Sequence, residues 1–202
     1  MRSSLYLLSA ISLLCGYASG FAQPLDLQLQ LVDETVDGMQ SRYIELVGRD
    51  FKGKRYPADI WIAAEERPSD ASVRFIHRFQ TELVMDFAVY ASTELLEDYS
   101  ESNLKKYVFS LQSTYGRQGF RVEGARAVKA PVGSMPFMGG TYWKISYNLM
   151  ANGTGELLRS VIEFVSVGAG NRNYRLRFSG PAVLFKKFQQ NFPAEVGRFT
   201  LE

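Results

Sequence analysis

The pattern that most constrains the fold is a set of three consecutive β-strands, which the sequence predicts within residues 142–178. Apolar and polar residues alternate in the first and third of these strands, and this is the period of a half-buried strand. The Asn152-Gly153 dipeptide after the first strand accepts the positive φ angles of a tight hairpin turn. The meander therefore predicts an antiparallel sheet. The apolar positions are Trp143, Ile145, Tyr147 and Leu149 in the first strand and Tyr174, Leu176 and Phe178 in the third.

Shorter segments before this meander also have strand patterns. The alternation is clearest at the start, where the four leucines from Leu25 to Leu31 are separated by polar residues. Residues 50–55 contain three basic residues and a glycine, and they predict a basic turn between two strands. Residues 120–132 predict an extended segment that is bent at Gly124. The predicted strands are residues 25–31, 43–47, 56–63, 73–79 and 83–91.

Two segments have the period of an amphipathic helix. The clearer one runs from about Ser102 to Tyr115, with Ser100 or Ser102 as its N-cap and Gly116 at its end. A second helix is predicted to begin at Gly180-Pro181. Since strands outnumber helices, we expect an α+β fold in which helices pack against an antiparallel β-sheet. The apolar faces are Leu104, Tyr107, Val108, Leu111 and Tyr115 in the first helix and Leu184, Phe185, Phe188 and Phe192 in the second.

Residues 1–22 predict a signal peptide. A basic start at Arg2 is followed by the apolar stretch from Leu5 to Cys15 and then by mostly small residues. The apolar stretch is shorter than the roughly 20 residues that a membrane-spanning helix needs. Cleavage is expected after Ala22, with cleavage after Gly20 as the alternative. We therefore expect an exported protein that is periplasmic or secreted.

The remaining residues, 23–202, contain no internal repeat or long linker, and we expect them to form a single α+β domain. They contain no second apolar stretch of membrane-spanning length, so no membrane span is expected after signal cleavage. The only cysteine, Cys15, lies within the signal segment. Mature protein would then have no thiol for a nucleophile, a disulfide or a metal. The formal net charge of +2 argues against a nucleic-acid partner.

The second half of the chain resembles a known family. A strand pattern at 83–91 is followed by the acidic segment Ser92–Glu97, the amphipathic helix and the meander. The closing segment reads Asn173-Tyr174-Arg175-Leu176-Arg177-Phe178-Ser179-Gly180-Pro181, with phenylalanines following. Together these features, over residues 83–200, resemble the PsbP-like superfamily. The resemblance implies an antiparallel sheet between helices and a non-catalytic accessory or binding module, and it transfers no catalytic residue.

The residues themselves also predict no catalytic site, no cofactor and no metal site. His77 is the only histidine, and it lies on a predicted strand between Phe75 and Phe79 without a local nucleophile or orienting carboxylate. We interpret it as a structural residue. The acidic residues before the first helix lack the spacing of a calcium loop, and they favour a solvated helix start. These acids are Glu94, Glu97, Asp98 and Glu101.

The most unusual segment is residues 131–140, which combine Gly and Pro with large apolar side chains. Three of these side chains, Met135, Phe137 and Met138, are the candidate partner or ligand contacts. A loop that covers one end of the core would have the same composition. The two methionines alone make a poor copper site, so no metal is expected there.

We therefore expect an exported, soluble, non-enzymatic accessory or binding module that contacts an envelope or protein partner. The alternative is a small-molecule or lipid carrier that binds between sheet and helix, near Trp143, Tyr147 and Phe188. A hydrolase would need a concave site with two carboxylates of raised pKa. The sequence leaves the partner and the oligomeric state open.

Overall fold

A computed structural model describes residues 23–36, 38–56, 60–92, 95–129, 142–168 and 172–201. These residues form eleven β-strands and three α-helices. The strands are β1 (Leu27–Val36), β2 (Met39–Gly48), β3 (Phe51–Arg55), β4 (Trp61–Ala63), β5 (Val73–His77), β6 (Gln80–Tyr90), β7 (Phe120–Lys129), β8 (Trp143–Ala151), β9 (Leu157–Gly168), β10 (Arg172–Gly180) and β11 (Phe199–Leu201). The helices are α1 (Glu101–Arg117), α2 (Ala182–Phe188) and α3 (Phe192–Val196).

The strands form two antiparallel sheets. The large sheet has seven strands in the order β4-β5-β6-β10-β9-β8-β7, and the small sheet has the order β1-β2-β3-β11. The predicted meander is confirmed as β8, β9 and β10, with Gly153 at a positive φ of 92° in the first turn. Strand β10, the last of the meander, lies at the centre of the large sheet between β6 and β9.

The molecule has three layers, with the large sheet in the middle. Because side chains alternate along a strand, β10 sends Tyr174, Leu176 and Phe178 to one face of the sheet. That face packs against the small sheet and against α2 and α3. Arg175 and Arg177 point to the other face, which α1 covers through Tyr107, Leu111 and their neighbours. Both faces of the central strand are therefore buried.

Helix α1 has the sequence features that start and stop a helix. The Ser100 side chain accepts a hydrogen bond from the Asn103 N–H and caps the first turn. The helix ends one residue beyond the expected Gly116, and the positive φ of 85° falls on Gly119. The bend expected at Gly124 is present as a β-bulge in β7, where Gly124 has a φ of 64°.

Three sequence expectations differ from the structure. The predicted basic turn at residues 50–55 contains strand β3, because Phe51 and Arg55 point inward while Lys52 and Lys54 point outward. The chain has a second sheet, completed by the unpredicted strand β11, so the fold is richer in sheet than the expected α+β arrangement. The predicted second helix is divided into α2 and α3.

An arginine lies at the centre of the interface between the two sheets. Arg55 is fully buried, donates from Nη2 to Glu195 Oε2 (3.3 Å), and stacks its guanidinium on Phe75 at 4.4 Å. Burial lowers the pKa of Arg55 to about 10, although the charge of Glu195 opposes this shift. Strand β3 is thereby tied to α3 across 140 residues of sequence.

The predicted signal segment, residues 1–22, lies outside the described ranges. In the parts of the chain that are described, no helix combines the length and the apolar character needed to cross a membrane.

Candidate ligand-binding cleft

A cavity of about 840 Å³ lies between the α1-facing side of the large sheet and the C-terminal half of α1. Its volume is within the range of pockets that hold small organic ligands. The helix contributes Leu111, Thr114 and Tyr115, and the loop between β4 and β5 contributes Asp70. We call this cavity the arginine cleft, because five arginines line it: Arg74, Arg117, Arg159, Arg175 and Arg177.

The sheet register explains why charged side chains meet in this cavity. Directly opposed residues of antiparallel strands share a face of the sheet. Asp86 on β6 lies opposite Arg74 on β5 and opposite Arg177 on β10, and Arg177 in turn lies opposite Glu163 on β9. Charges of alternating sign therefore form a row across four neighbouring strands.

Asp86 is the most tightly bound member of this row. It is 1% exposed and accepts two hydrogen bonds from Arg74, at 2.7 and 3.0 Å, and two from Arg177, from Nη2 at 2.8 Å and from Nε at 3.3 Å. Burial acts to raise the pKa of Asp86, but the charge of Arg177 and the hydrogen bond from Arg74 outweigh it. The net effect is a lowered pKa, so this carboxylate stays ionised at neutral pH.

Asp70 is a second carboxylate, placed by a loop rather than by the sheet. Its Oδ2 accepts from Arg177 Nη1 at 2.7 Å and from Arg175 Nη2 at 3.0 Å. Burial again acts to raise the pKa, and the charges of Arg177 and Arg175 lower it further than burial raises it. Asp70 therefore neutralises part of the charge of the two β10 arginines.

Glu163 is the last charged residue of this row, and it lies beneath the cleft. It is fully buried and accepts hydrogen bonds from two tyrosines, from Tyr147 at 2.8 Å and from Tyr107 of α1. Burial and the negative charge of Glu163 raise the pKa of both tyrosines well above the ordinary value of a phenol. The tyrosines thus remain neutral donors, and they join α1 to the sheet through a buried carboxylate.

Two arginines have donors that no carboxylate satisfies. Arg159 donates from Nη2 to the main-chain carbonyl of Glu82 (2.7 Å), and no acidic side chain in the described ranges forms an ion pair with it. Burial lowers the pKa of Arg159, and the charge of Arg74 lowers it further. Arg175 is 3% exposed, and its Nε has no hydrogen-bond partner among the described residues.

The cleft is better suited to binding than to hydrolysis. Asp70 and Asp86 have lowered pKa values, so neither carries a proton that it can donate near neutral pH. His77 lies on the other face of the large sheet, where it packs against Trp61 and Phe188 and accepts from the Phe79 N–H through Nδ1. Within the described ranges, no group of three His, Cys, Asp or Glu side chains could hold a metal ion.

The predicted contact residues Met135, Phe137 and Met138 lie outside the described ranges. The described strand ends that flank them, Lys129 of β7 and Trp143 of β8, are paired with each other. They form the end of the β7–β8 hairpin opposite to Phe120, which lines the arginine cleft.

The residues expected to line a carrier site do not come together. Trp143 and Tyr147 lie on the face that α1 covers, whereas Phe188 packs on the opposite face of the large sheet. The expectation of a space between sheet and helix holds, but Arg74, Arg159 and the other arginines line it instead. Arg175 and Arg177 alternate with the apolar side chains of β10, and this pattern is also typical of a solvent-facing side, so no local signal identified them as lining residues.

No protein-family model matches this sequence, and no curated protein matches it significantly. Solved structures do match. The solution structure of cyanobacterial PsbP (CyanoP) from Synechocystis sp. PCC 6803 is 12% identical and has a TM-score of 0.56, and the match covers 93% of this chain and 99% of that chain. LpqN, a protein involved in cell envelope biogenesis of Mycobacterium tuberculosis, is 14% identical with a TM-score of 0.45, and its match covers 87% of this chain and 91% of that chain. The similarity to CyanoP, which spans nearly the whole of both molecules, confirms that the chain has a PsbP-like fold.

Proposed function

We propose that this protein is an exported, non-enzymatic binding module whose arginine cleft holds a small molecule. The observation that supports this proposal is the cavity of about 840 Å³, which lies between the strands of the large sheet and α1. Polar groups in the cavity are held by the sheet register and by Asp70, as in a preformed ligand site. Export is proposed from the signal-like residues 1–22.

Filling the cleft should abolish ligand retention. Thr114 lines the cavity from α1, and a Thr114→Trp substitution would place an indole where the ligand lies. We expect wild-type protein, purified gently from the cells that export it, to show a ligand-bound mass in native mass spectrometry. The Thr114→Trp variant should show the apo mass only.

The matched control is Val183→Trp. Val183 is 73% exposed on α2, on the far side of the large sheet from the cleft. This variant should keep the ligand-bound mass. A clean apo mass for the wild-type protein, or equal retention by Thr114→Trp, would contradict the proposed function. Circular dichroism of each variant establishes that it is folded.

A second proposal is that residues 131–140 contact an envelope or protein partner through Met135, Phe137 and Met138. The composition of this segment supports it, because large apolar side chains occur among glycines and prolines. Hydrogen exchange of the segment should be fast in the isolated protein and slower in native extract. A Met135→Ser, Phe137→Ser, Met138→Ser variant should lose this slowing, and slow exchange under both conditions would contradict the proposal.

A further inference from the structure

We propose that the molecule bound in the arginine cleft carries a carboxylate or phosphate group, which Arg159 binds. The inference rests on the proposed ligand-binding function and names the chemical class of the ligand. It is drawn from the charge balance of the cavity, from the unsatisfied donors and from the remaining apolar lining.

The side chains that line the cleft have an excess of positive charge. The five arginines are accompanied by three acidic residues, Asp70, Glu82 and Asp86. Asp70 and Asp86 form ion pairs with Arg74, Arg175 and Arg177, and the buried Glu163 lies opposite Arg177. The excess positive charge of the lining therefore lies with Arg117 and Arg159. Glu82 lies at the rim, and its carboxylate forms no ion pair with Arg159 in the described structure. The lining of the cavity therefore has a net positive charge, which would attract an anionic ligand.

Arg159 has guanidinium donors that no acidic side chain of the described residues engages. It is half-buried on β9, and another cation, Arg74, lies near it. Arg74 itself forms an ion pair with Asp86. A guanidinium in this position has donors left over after its single bond to the Glu82 carbonyl. Its planar donors match the oxygens of a carboxylate or phosphate.

Arg175 provides an independent indication. Its side chain is buried, its Nη2 contacts Asp70, and its Nε has no partner among the described residues. Buried donors without partners are rare in folded proteins, and they commonly mark a place where a ligand or an ordered water binds. Arg175 lines the same cavity as Arg159.

The remaining lining indicates that the anion is one end of a larger molecule. Apolar side chains from α1 and from four strands face the cavity beside the arginines. They could cover a short hydrocarbon or aromatic portion, while the arginines bind the charged end. The inferred class is therefore a small amphipathic anion, either an organic acid or the head of a phospholipid. The apolar lining residues are Val84, Leu111, Phe120, Leu149 and Val161.

Calorimetric titration with matched probes tests this inference. Decanoate and decyl phosphate carry the anion, decanol carries the same tail without charge, and inorganic phosphate carries the charge without a tail. We expect both anionic amphiphiles to bind at least about tenfold more tightly than decanol, since only the anions can form charge-assisted hydrogen bonds with Arg159. A preference for decanoate would indicate an organic acid, and a preference for decyl phosphate would indicate a phospholipid head.

Two variants locate the charge recognition. Arg159→Gln should remove most of the difference between decanoate and decanol. Arg78→Gln removes one positive charge from an exposed turn outside the cleft and should leave the difference unchanged. Each of four results would overturn the inference. They are equal affinity for decanol and decanoate, no binding of any amphiphile, tightest binding of inorganic phosphate alone, and an Arg159→Gln variant with unchanged affinities. Retention of a neutral ligand in native mass spectrometry would overturn it while leaving the proposed function intact.

Discussion

Replacing Asp86 with asparagine is expected to lower the free energy of unfolding by about 3–5 kcal/mol, the usual cost of removing one partner from a buried ion pair. The substitution keeps the shape of the side chain and removes its charge. Arg177 would then keep Asp70 as its ion-pair partner, whereas Arg74 would have no carboxylate partner among the described residues. Urea unfolding followed by circular dichroism measures the change.

A matched substitution separates burial from ion pairing. Asp33 binds Arg42 through two hydrogen bonds, as Asp86 binds Arg74, but both partners are more than half exposed. Asp33→Asn should therefore change the free energy of unfolding far less than Asp86→Asn does. Equal effects of the two substitutions would show that the charged row under α1 is not a buried network.

The Asp86 effect should also depend on pH. The folded pKa of Asp86 is lowered below that of an unfolded aspartate, which is about 4. The stability it contributes is therefore complete above about pH 4 and is lost as the pH falls through the folded value. The difference between wild type and Asp86→Asn should be constant from pH 7 to about pH 4 and should shrink at lower pH.

Replacing Phe178 with alanine is expected to cost about 3–5 kcal/mol of unfolding free energy, because it leaves a cavity at the centre of the molecule. Phe178 is fully buried on β10, and its ring stacks on Phe192 of α3 with a centroid distance of 4.3 Å. It also contacts the rings of Trp61 and Phe164. The substitution would loosen the attachment of α3 to the large sheet.

Phe109 provides the control for this substitution, since it is 71% exposed on α1. Phe109→Ala should change the free energy of unfolding by less than about 0.5 kcal/mol. Phe178→Leu keeps most of the side-chain volume, so its loss of unfolding free energy should lie between those of Phe178→Ala and Phe109→Ala. If Phe178→Ala were no more destabilising than Phe109→Ala, the stacking on Phe192 would not contribute to the core.

Local patterns were sufficient to predict most elements of the fold. Strands β8 and β10 were found from strict alternation, and α1 from its apolar face, because each of these elements is long enough for its period to be read. Strand β3 was missed because its three basic residues favoured a turn, although it pairs with the neighbouring β2. Strand β11 was missed because it has three residues and is defined by pairing with β3 across the chain. Such pairing has no local signature.

The cleft could have been predicted only in part. Alternation in β10 separates Arg175 and Arg177 from the apolar side chains, and an alternating charged residue normally indicates a solvent-facing side. Their burial follows from two non-local facts, that β10 is the central strand and that α1 covers its second face. Asp70 joins them from a loop more than 100 residues away in sequence. The contact role of Met135, Phe137 and Met138 stays a prediction.

The pairing of β11 with β3 gives this fold an order of assembly. Phe199 of β11 packs on Phe75 and Phe87, and the neighbouring Glu195 neutralises the buried Arg55. Without residues 195–201, β3 would pair with β2 alone, and the aromatic surface between the sheets would be uncovered. A chain that crosses a membrane unfolded would thus be unable to complete this core before residues 195–201 had followed.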